Sequence, residues 1–176
     1  MELTDGVVRL RPLRADDAPA IHAACVDPET QRFTVSLPDP YRLEHAEEFI
    51  RLTEKWERSG AEVTLAIVEP PADDWLGTIG VRLGDRPSVG YMTAPPARGR
   101  GLATRALVLV SRWAIAERGV RRLELTTDPA NVASQRVAEK AGFTREGLLR
   151  DYLESRRDGT RRDCVVFSLV PRDVGV

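Results

Sequence analysis

The sequence is short of several residues on which particular protein classes depend. It has two cysteines, Cys25 and Cys164, far apart and without metal-ligand spacing; both are read as small apolar core residues, and no metal is expected. Lysine is nearly absent: Lys55 and Lys140 are the only two, and the other basic residues are arginines, which we read as a composition bias. Net charge is only −1, against the strong basicity of a dedicated nucleic-acid binder, and aromatics, 6% of the chain, are not interleaved with the arginine-rich turns. No apolar run approaches the roughly 18 residues that would cross a membrane. Met1-Glu2-Leu3-Thr4-Asp5 lacks the basic and apolar regions of a signal peptide, so a cytoplasmic address is the default expectation. There is no low-complexity tract and no internal repeat. What is present is 176 residues, 42% hydrophobic and 30% charged with the charges interspersed, the composition of one soluble globular domain spanning residues 1–176.

Hydrophobic spacing divides the chain as follows. Val7 to Leu13 alternates apolar and charged residues and reads as a strand ended by Pro12. Asp16 and Asp17 precede a helix over Ala18 to Val26, in which His22 is read as structural or solvated. Asp27 to Arg42, with three prolines, reads as an irregular connection, either pinned to the surface by its aromatics or forming a wall for a second substrate. A long helix follows from Leu43 to Ser59, with Leu43, Ala46, Phe49, Ile50, Thr53 and Trp56 at helical spacing and His45 on its solvated face. Strands are expected over Val63–Val68, Trp75–Leu83 and Ser88–Met92, with Gly77 and Gly80 marking a bulge or a close approach. Next come a helix from Leu102 to Glu117, a strand over Leu123–Thr127 and a helix from Val132 to Ala141. Two final strands, Phe143–Leu153 and Asp163–Val170, flank a tip whose Arg156/Arg157 and Arg161/Arg162 pairs are read as solvated. The order β-α-α-β-β-β-loop-α-β-α-β-β predicts a mixed sheet flanked by helices, an α+β or three-layer arrangement.

Between the strand ending at Met92 and the helix beginning at Leu102 lies Arg98-Gly99-Arg100-Gly101-Leu102-Ala103. A strand, a glycine-containing basic turn and a helix start follow one another directly. Such a turn exposes unpaired backbone N–H groups at the positive end of a helix dipole, a site for an anion such as phosphate. Arg98 and Arg100 add charge that a phosphate can use. The bland alternative is a basic, solvated turn capping a surface helix. There is no Gly-Lys-Ser/Thr ending and no three-glycine dinucleotide fingerprint.

Arg98-x-x-Gly101-x-Ala103 resembles the acyl-CoA pyrophosphate loop of the GNAT N-acetyltransferases. The resemblance is densest from Gly90 to Phe143. Gly90-Tyr91-Met92-Thr93-Ala94-Pro95 looks like the strand leading into that loop, and Asn131-x-x-Ser134 with Glu139-Lys140-Ala141-Gly142-Phe143 looks like a second family block. The opening Val8-Arg9-Leu10-Arg11-Pro12-Leu13 with Asp16-Asp17 resembles the RimJ/RimL-like branch, the ribosomal-protein-alanine acetyltransferases. The resemblance implies a mostly antiparallel sheet in which Ser88–Met92 splays from Leu123–Thr127, leaving a cleft for acetyl-CoA as co-substrate. The pantetheine arm would pair with backbone at Tyr91, Met92 and Thr93; the N–H of Met92 would polarise the thioester carbonyl. N–H groups from Arg98 through Gly99, Arg100, Gly101, Leu102 and Ala103 to Thr104 would take the pyrophosphate, and Asn131 the CoA arm. A homodimer is plausible on the same ground.

The implied chemistry is direct attack of a primary amine on the thioester, an N-acetyltransferase reaction of class EC 2.3.1. Many members place a tyrosine acid in the last helix, where this chain has Ala138; Ser134, one turn earlier, is the expected substitute, unless it simply begins its helix. For the base, Glu29, Glu124, Asp151 and water relay stay open. The acceptor is a protein N-terminal amine, for which a groove near Gln31 to Tyr41 would be needed, or a small-molecule amine. The alternative reading is a non-catalytic acyl-CoA-binding or sensing domain.

Overall fold

The computed structural model describes residues 1–34, 36–154 and 159–175. Eight strands form one sheet: β1 (Leu3–Thr4), β2 (Arg9–Pro12), β3 (Glu62–Val68), β4 (Gly77–Arg82), β5 (Ser88–Thr93), β6 (Leu123–Thr127), β7 (Thr144–Glu154) and β8 (Arg161–Leu169). Their order is β1-β2-β3-β4-β5-β6-β8-β7, antiparallel throughout except at β5 and β6. Five α-helices accompany the sheet among the described residues: α1 (Ala18–Cys25), α2 (Pro28–Phe33), α3 (Leu43–Ser59), α4 (Leu102–Ala116) and α5 (Val132–Lys140), with short 3-10 turns at Ala15–Asp17, Pro95–Ala97 and Pro171–Val174. This is the mixed, helix-flanked sheet that the element order predicts, and it is mostly antiparallel as the family resemblance implies. Of the strands and α-helices, two were not anticipated, the short edge strand β1 and helix α2.

The sheet's centre is covered on both faces. Every residue from Val63 to Val68 in β3 is buried, and both α3 and α4 pack on that strand. α4 supplies the densest apolar face, with Leu102, Ala106, Leu107, Val110, Trp113 and Ala114 all buried. Both cysteines are buried and unpaired, as core residues should be.

The alternating pattern of β2 misleads at one position. Arg11 is not on a solvated face: it is 1% exposed and all five of its N–H donors are satisfied. Two go to the Asp17 carboxylate at 2.8 Å each, and the rest to Pro12 O, Asp73 Oδ1 and Asp73 O at 2.9 Å. Asp73 also takes Arg9 and Arg14, and Asp17 Oδ2 accepts from the N–H of Arg14. This cage fixes β2 to the start of α1 and to the β3–β4 connection, because a desolvated guanidinium tolerates no missing partner.

The parallel pair matters most for the site. β5 and β6 pair at Ser88 and Glu124, where the N–H of Glu124 donates to Pro87 O at 2.9 Å. Beyond that point the two strands do not pair up to Thr93 and Thr127, so a gap opens toward the C-terminal ends of both strands. On its other side β5 stays in continuous register with β4, from Ser88 opposite Arg82 to Thr93 opposite Gly77. Gly77 is what lets the two backbones meet closely there: a Cβ on it would stand 2.5 Å from Met92 O. The close approach expected of Gly77 is therefore present; at Gly80 a Cβ would meet the side chains of Glu62 and Thr64 at 2.9 and 3.1 Å.

Candidate active site

A cleft of about 380 Å³ lies at the open end of the gap. One wall is β5, at Tyr91, Met92 and Thr93; the other is α5, at Asn131, Ala133, Ser134, Arg136, Val137 and Lys140. The floor is the turn into α4, with Gly99, Gly101, Leu102, Ala103 and Thr104, and the rim is α2 with Glu29, Thr30 and Phe33. Gly99 (φ 72°) and Gly101 (φ 78°) adopt left-handed backbone, which glycine alone enters without strain. The N–H groups from Gly99 to Thr104 have no acceptor among the described residues. A row of open donors at a helix N-terminus has the geometry to cradle an anion. It starts one residue later than expected, since the N–H of Arg98 is used by Pro95 O at 3.3 Å.

The arginines of the loop are not free cations. Arg98 binds Asp27 Oδ2 at 2.6 Å, Thr30 Oγ1 at 2.8 Å and Glu29 Oε2 at 2.9 Å, and Arg100 is paired with Glu69. Arg98 thus ties the cradle to α2 and holds the Asp27 carboxyl below its ordinary value. Unpaired positive charge comes instead from α5: Arg136 and Lys140, four residues apart, both line the cleft and have no ion pair among the described residues. Their i, i+4 spacing in a helix whose other residues face the cleft was the available signal.

On the inner wall, Ser134 Oγ lies 3.0 Å from the phenolic oxygen of Tyr91. Asn131 caps α5, its Oδ1 accepting from the N–H of Ser134 at 3.0 Å, which leaves its amide nitrogen without a partner among the described residues. Ala138 is fully buried. Tyr91, expected here for its backbone alone, also brings its side chain into the cleft wall. Burial pushes the Tyr91 phenol up to about 12, partly offset by the Ser134 hydrogen bond, so it keeps its proton through the neutral range.

Pleat alternation corrects one expectation. The N–H of Ala94 donates to Leu76 O in the strand direction of β4, Met92 O lies against Gly77, and Pro87 O faces β6. With no register shift in β5, residues 88, 90 and 92 turn their N–H groups to β4, while Val89, Tyr91 and Thr93 turn theirs to the gap. The N–H expected of Met92 therefore points away from the cleft. Its side chain lies on the opposite face of the sheet, with Sδ 4.0 Å from Cys25 Sγ.

The three base candidates separate. Glu29 lines the cleft but is held by Arg98. Glu124 sits at the closed end of the strand pair, in a larger hollow of about 870 Å³, bound by Arg122 at 3.0 Å. That hollow has no helix N-terminus, so we assign it no part in the site. Asp151 is exposed on β7 and lines neither. Of the segment read as irregular, Asp27 to Phe33 is a capped helix: Asp27 accepts from the N–H of Thr30 at 2.9 Å and Pro28 stands at its first position. Asp27-Pro28-Glu29, a capping residue followed by proline at the first helical position, is the sequence signal for this helix. Phe33 does wall the cleft, whereas Tyr41 is core, stacked on His22. His45 is half-buried and caps α3, accepting from the N–H of Arg42 at 3.0 Å. Arg162 reaches Arg32 O at 3.1 Å, so it is not simply solvated; Arg156 and Arg157 lie outside the described residues.

A mixed sheet whose one parallel pair splays above a helix N-terminus defines an α+β fold with a ligand-sized cleft at the open end of that pair. Among the described residues no helix is long and apolar enough to cross a membrane, and no His/Cys/Asp/Glu cluster could hold a metal. The acetyltransferase (GNAT) domain matches residues 8–144, and the chain belongs to that family of acetyltransferases. It is 28% identical over 175 residues to the uncharacterized N-acetyltransferase YoaA of Bacillus subtilis strain 168, covering 97% of each chain. It is 26% identical over 168 residues to the uncharacterized N-acetyltransferase p20 of Bacillus licheniformis, covering 93% of each. Among solved structures, Mycobacterium smegmatis RimJ in complex with CoA-disulfide shares the fold at a TM-score of 0.82 and 23% identity, over 100% of this chain and 88% of that one.

Proposed function

We propose that the chain, as a single catalytic domain, transfers the acetyl group of acetyl-CoA to a primary amine by direct attack on the thioester. The observation that carries this reading is the open row of N–H donors from Gly99 to Thr104 at the mouth of a gap whose inner wall presents Ser134. The cradle takes the pyrophosphate, the pantetheine arm lies along β5, and the amide of Asn131 reaches the arm. The N–H groups of Tyr91 and Thr93, turned to the gap, are the donors that can meet the thioester oxygen as it becomes an oxyanion. Ser134 meets the sulfur. Arg136 and Lys140 face the remaining phosphate charge. The RimJ neighbour, which holds a CoA-disulfide, supports the choice of donor.

For the acceptor we propose an α-amine, as at a peptide N-terminus. An α-amine titrates near 8 and is partly neutral at physiological pH, whereas an alkyl ammonium near 10 requires a strong base. The cleft's carboxylate, Glu29, is committed to Arg98. The attacking nitrogen then loses its proton to water.

The test is thiol release from acetyl-CoA against peptides with varied N-termini, polyamines, aminoglycosides and free amino acids. Turnover selective for α-amines is the expected result. Turnover confined to polyamines would overturn the acceptor, and CoA binding with no turnover on any class would replace the enzyme reading with that of an acyl-CoA sensor.

A further inference from the structure

The family resemblance puts a phenol in the last helix, at the position of Ala138, which is fully buried here. A phenol nevertheless stands in the cleft. It comes from the strand: Tyr91 Oη lies 3.0 Å from Ser134 Oγ and 3.4 Å from Ser134 O. We infer that Tyr91 is the positioning residue for Ser134, donating its phenolic hydrogen to Ser134 Oγ so that the serine hydroxyl hydrogen is directed at the sulfur leaving the thioester. The inference rests on the reading of the cleft as an acetyl-CoA site.

The donor order follows from chemistry. A serine hydroxyl has one hydrogen and two acceptor lone pairs, and a phenol is the more acidic of the two hydroxyls. Two arrangements satisfy this pair. In one, Ser134 donates to Tyr91 Oη and the phenol turns to Ser134 O; the two groups then satisfy each other and nothing faces the ligand. In the other, Tyr91 donates to Ser134 Oγ, and Ser134 is left to donate outward. An anionic sulfur in the cleft selects the second, because a hydrogen bond to a charged acceptor is about twice as strong as one between neutral groups. The serine is free for this: its N–H is held by Asn131 Oδ1 at 3.0 Å, and its hydroxyl has no partner other than Tyr91 among the described residues.

The step is one of hydrogen bonding to a leaving group. The amine nitrogen forms its bond to the acyl carbon, the C–S bond breaks, and the electron pair goes to sulfur, where the Ser134 hydrogen bond stabilises it. The amine's surplus proton goes to water, and the thiolate takes one from water. Ser134 and Tyr91 keep theirs throughout.

The chain predicts a property measurable without any acceptor. Coenzyme A bound to the wild-type protein should ionise at lower pH than free coenzyme A, followed as thiolate absorbance in the ultraviolet against the ligand-free protein. Tyr91→Phe, which keeps the ring, should move that ionisation back toward the free value, and Ser134→Ala should do the same. The double variant should go no further than Ser134→Ala alone. In turnover, Tyr91→Phe should lower kcat roughly tenfold with the acetyl-CoA KM nearly unchanged. A Tyr91→Phe protein whose bound thiol titrates like wild type would overturn the proposal, as would effects of the two variants that simply add. Failure of coenzyme A to bind the wild type would overturn the cofactor reading itself, and the proposal with it.

Discussion

Gly77 offers a direct test of how the cleft wall is held. Its Cβ, if present, would stand 2.5 Å from Met92 O, 3.2 Å from Thr93 Cα and 3.3 Å from Ile67 Cδ1. Two of these neighbours are β5 backbone, so no side-chain rotation relieves the contact. Reaching even 3.0 Å from the carbonyl requires a shift of 0.5 Å, and an ordinary contact at 3.4 Å requires 0.9 Å. Gly77→Ala must therefore push β5 away at Met92 and Thr93, the residues against which the pantetheine arm is proposed to lie. Overpacking of this kind costs about 1–3 kcal/mol of stability. A displacement approaching 1 Å in a group that positions substrate lowers kcat/KM for acetyl-CoA on the order of 10²-fold. Gly90 is the control: it stands on the same strand, and a Cβ there meets nothing within 4 Å. Urea unfolding and thiol-release kinetics on both variants decide the matter. Wild-type stability and kinetics in Gly77→Ala would refute the reasoning; so would equal damage in Gly90→Ala.

Three further outcomes are expected. Asp17→Asn keeps the shape of the Arg11 cage but removes its buried charge and turns an amide donor toward other donors; unfolding should show a loss of about 2–4 kcal/mol, tempered by the charge of Asp73 that remains. Arg14, followed by Arg11 and Arg9, holds the Asp73 carboxyl at about 2 against an ordinary 3.8, so its contribution is present above pH about 4 and is lost as pH falls toward 2. Acid unfolding followed by circular dichroism should accordingly steepen across that interval, and Asp73→Asn should flatten it. Replacing Arg136 and Lys140 together by glutamine should weaken coenzyme A binding roughly tenfold and reduce its salt dependence, measured by calorimetry; unchanged affinity would remove α5 from the phosphate site.

Local patterns alone determined much of this protein. Strands and helices were legible because burial leaves its record in the local pattern: one face at helical spacing on α4, at Leu102, Ala106, Val110 and Trp113, and a near-continuous run from Val63 to Val68 in a strand buried on both faces. The glycine turn with its open N–H groups was legible as well, since Gly99, Gly101 and a helix start adjoin in the chain and their conformation is a local property. Ser134 and Asn131, singled out by the family resemblance, line the same cleft wall, because a cap and the hydroxyl three residues on share one helical turn. What only the tertiary structure decided are the relations between distant segments. The partners of Arg98 lie 68 to 71 residues earlier in the chain, and they convert an apparent phosphate ligand into a tie to α2. Tyr91 reaches Ser134 across 43 residues, and the parity of β5, set by its pairing with β4, turns the N–H of Met92 away from the gap. Arg11 reads as a surface charge in its own strand and becomes a buried anchor only when Asp17 and Asp73 close around it. Local sequence sets each residue's backbone preference and which way a patterned face points. Which charges meet, which donors stay open, and where a strand parts from its neighbour are fixed by packing between elements that the chain itself keeps far apart.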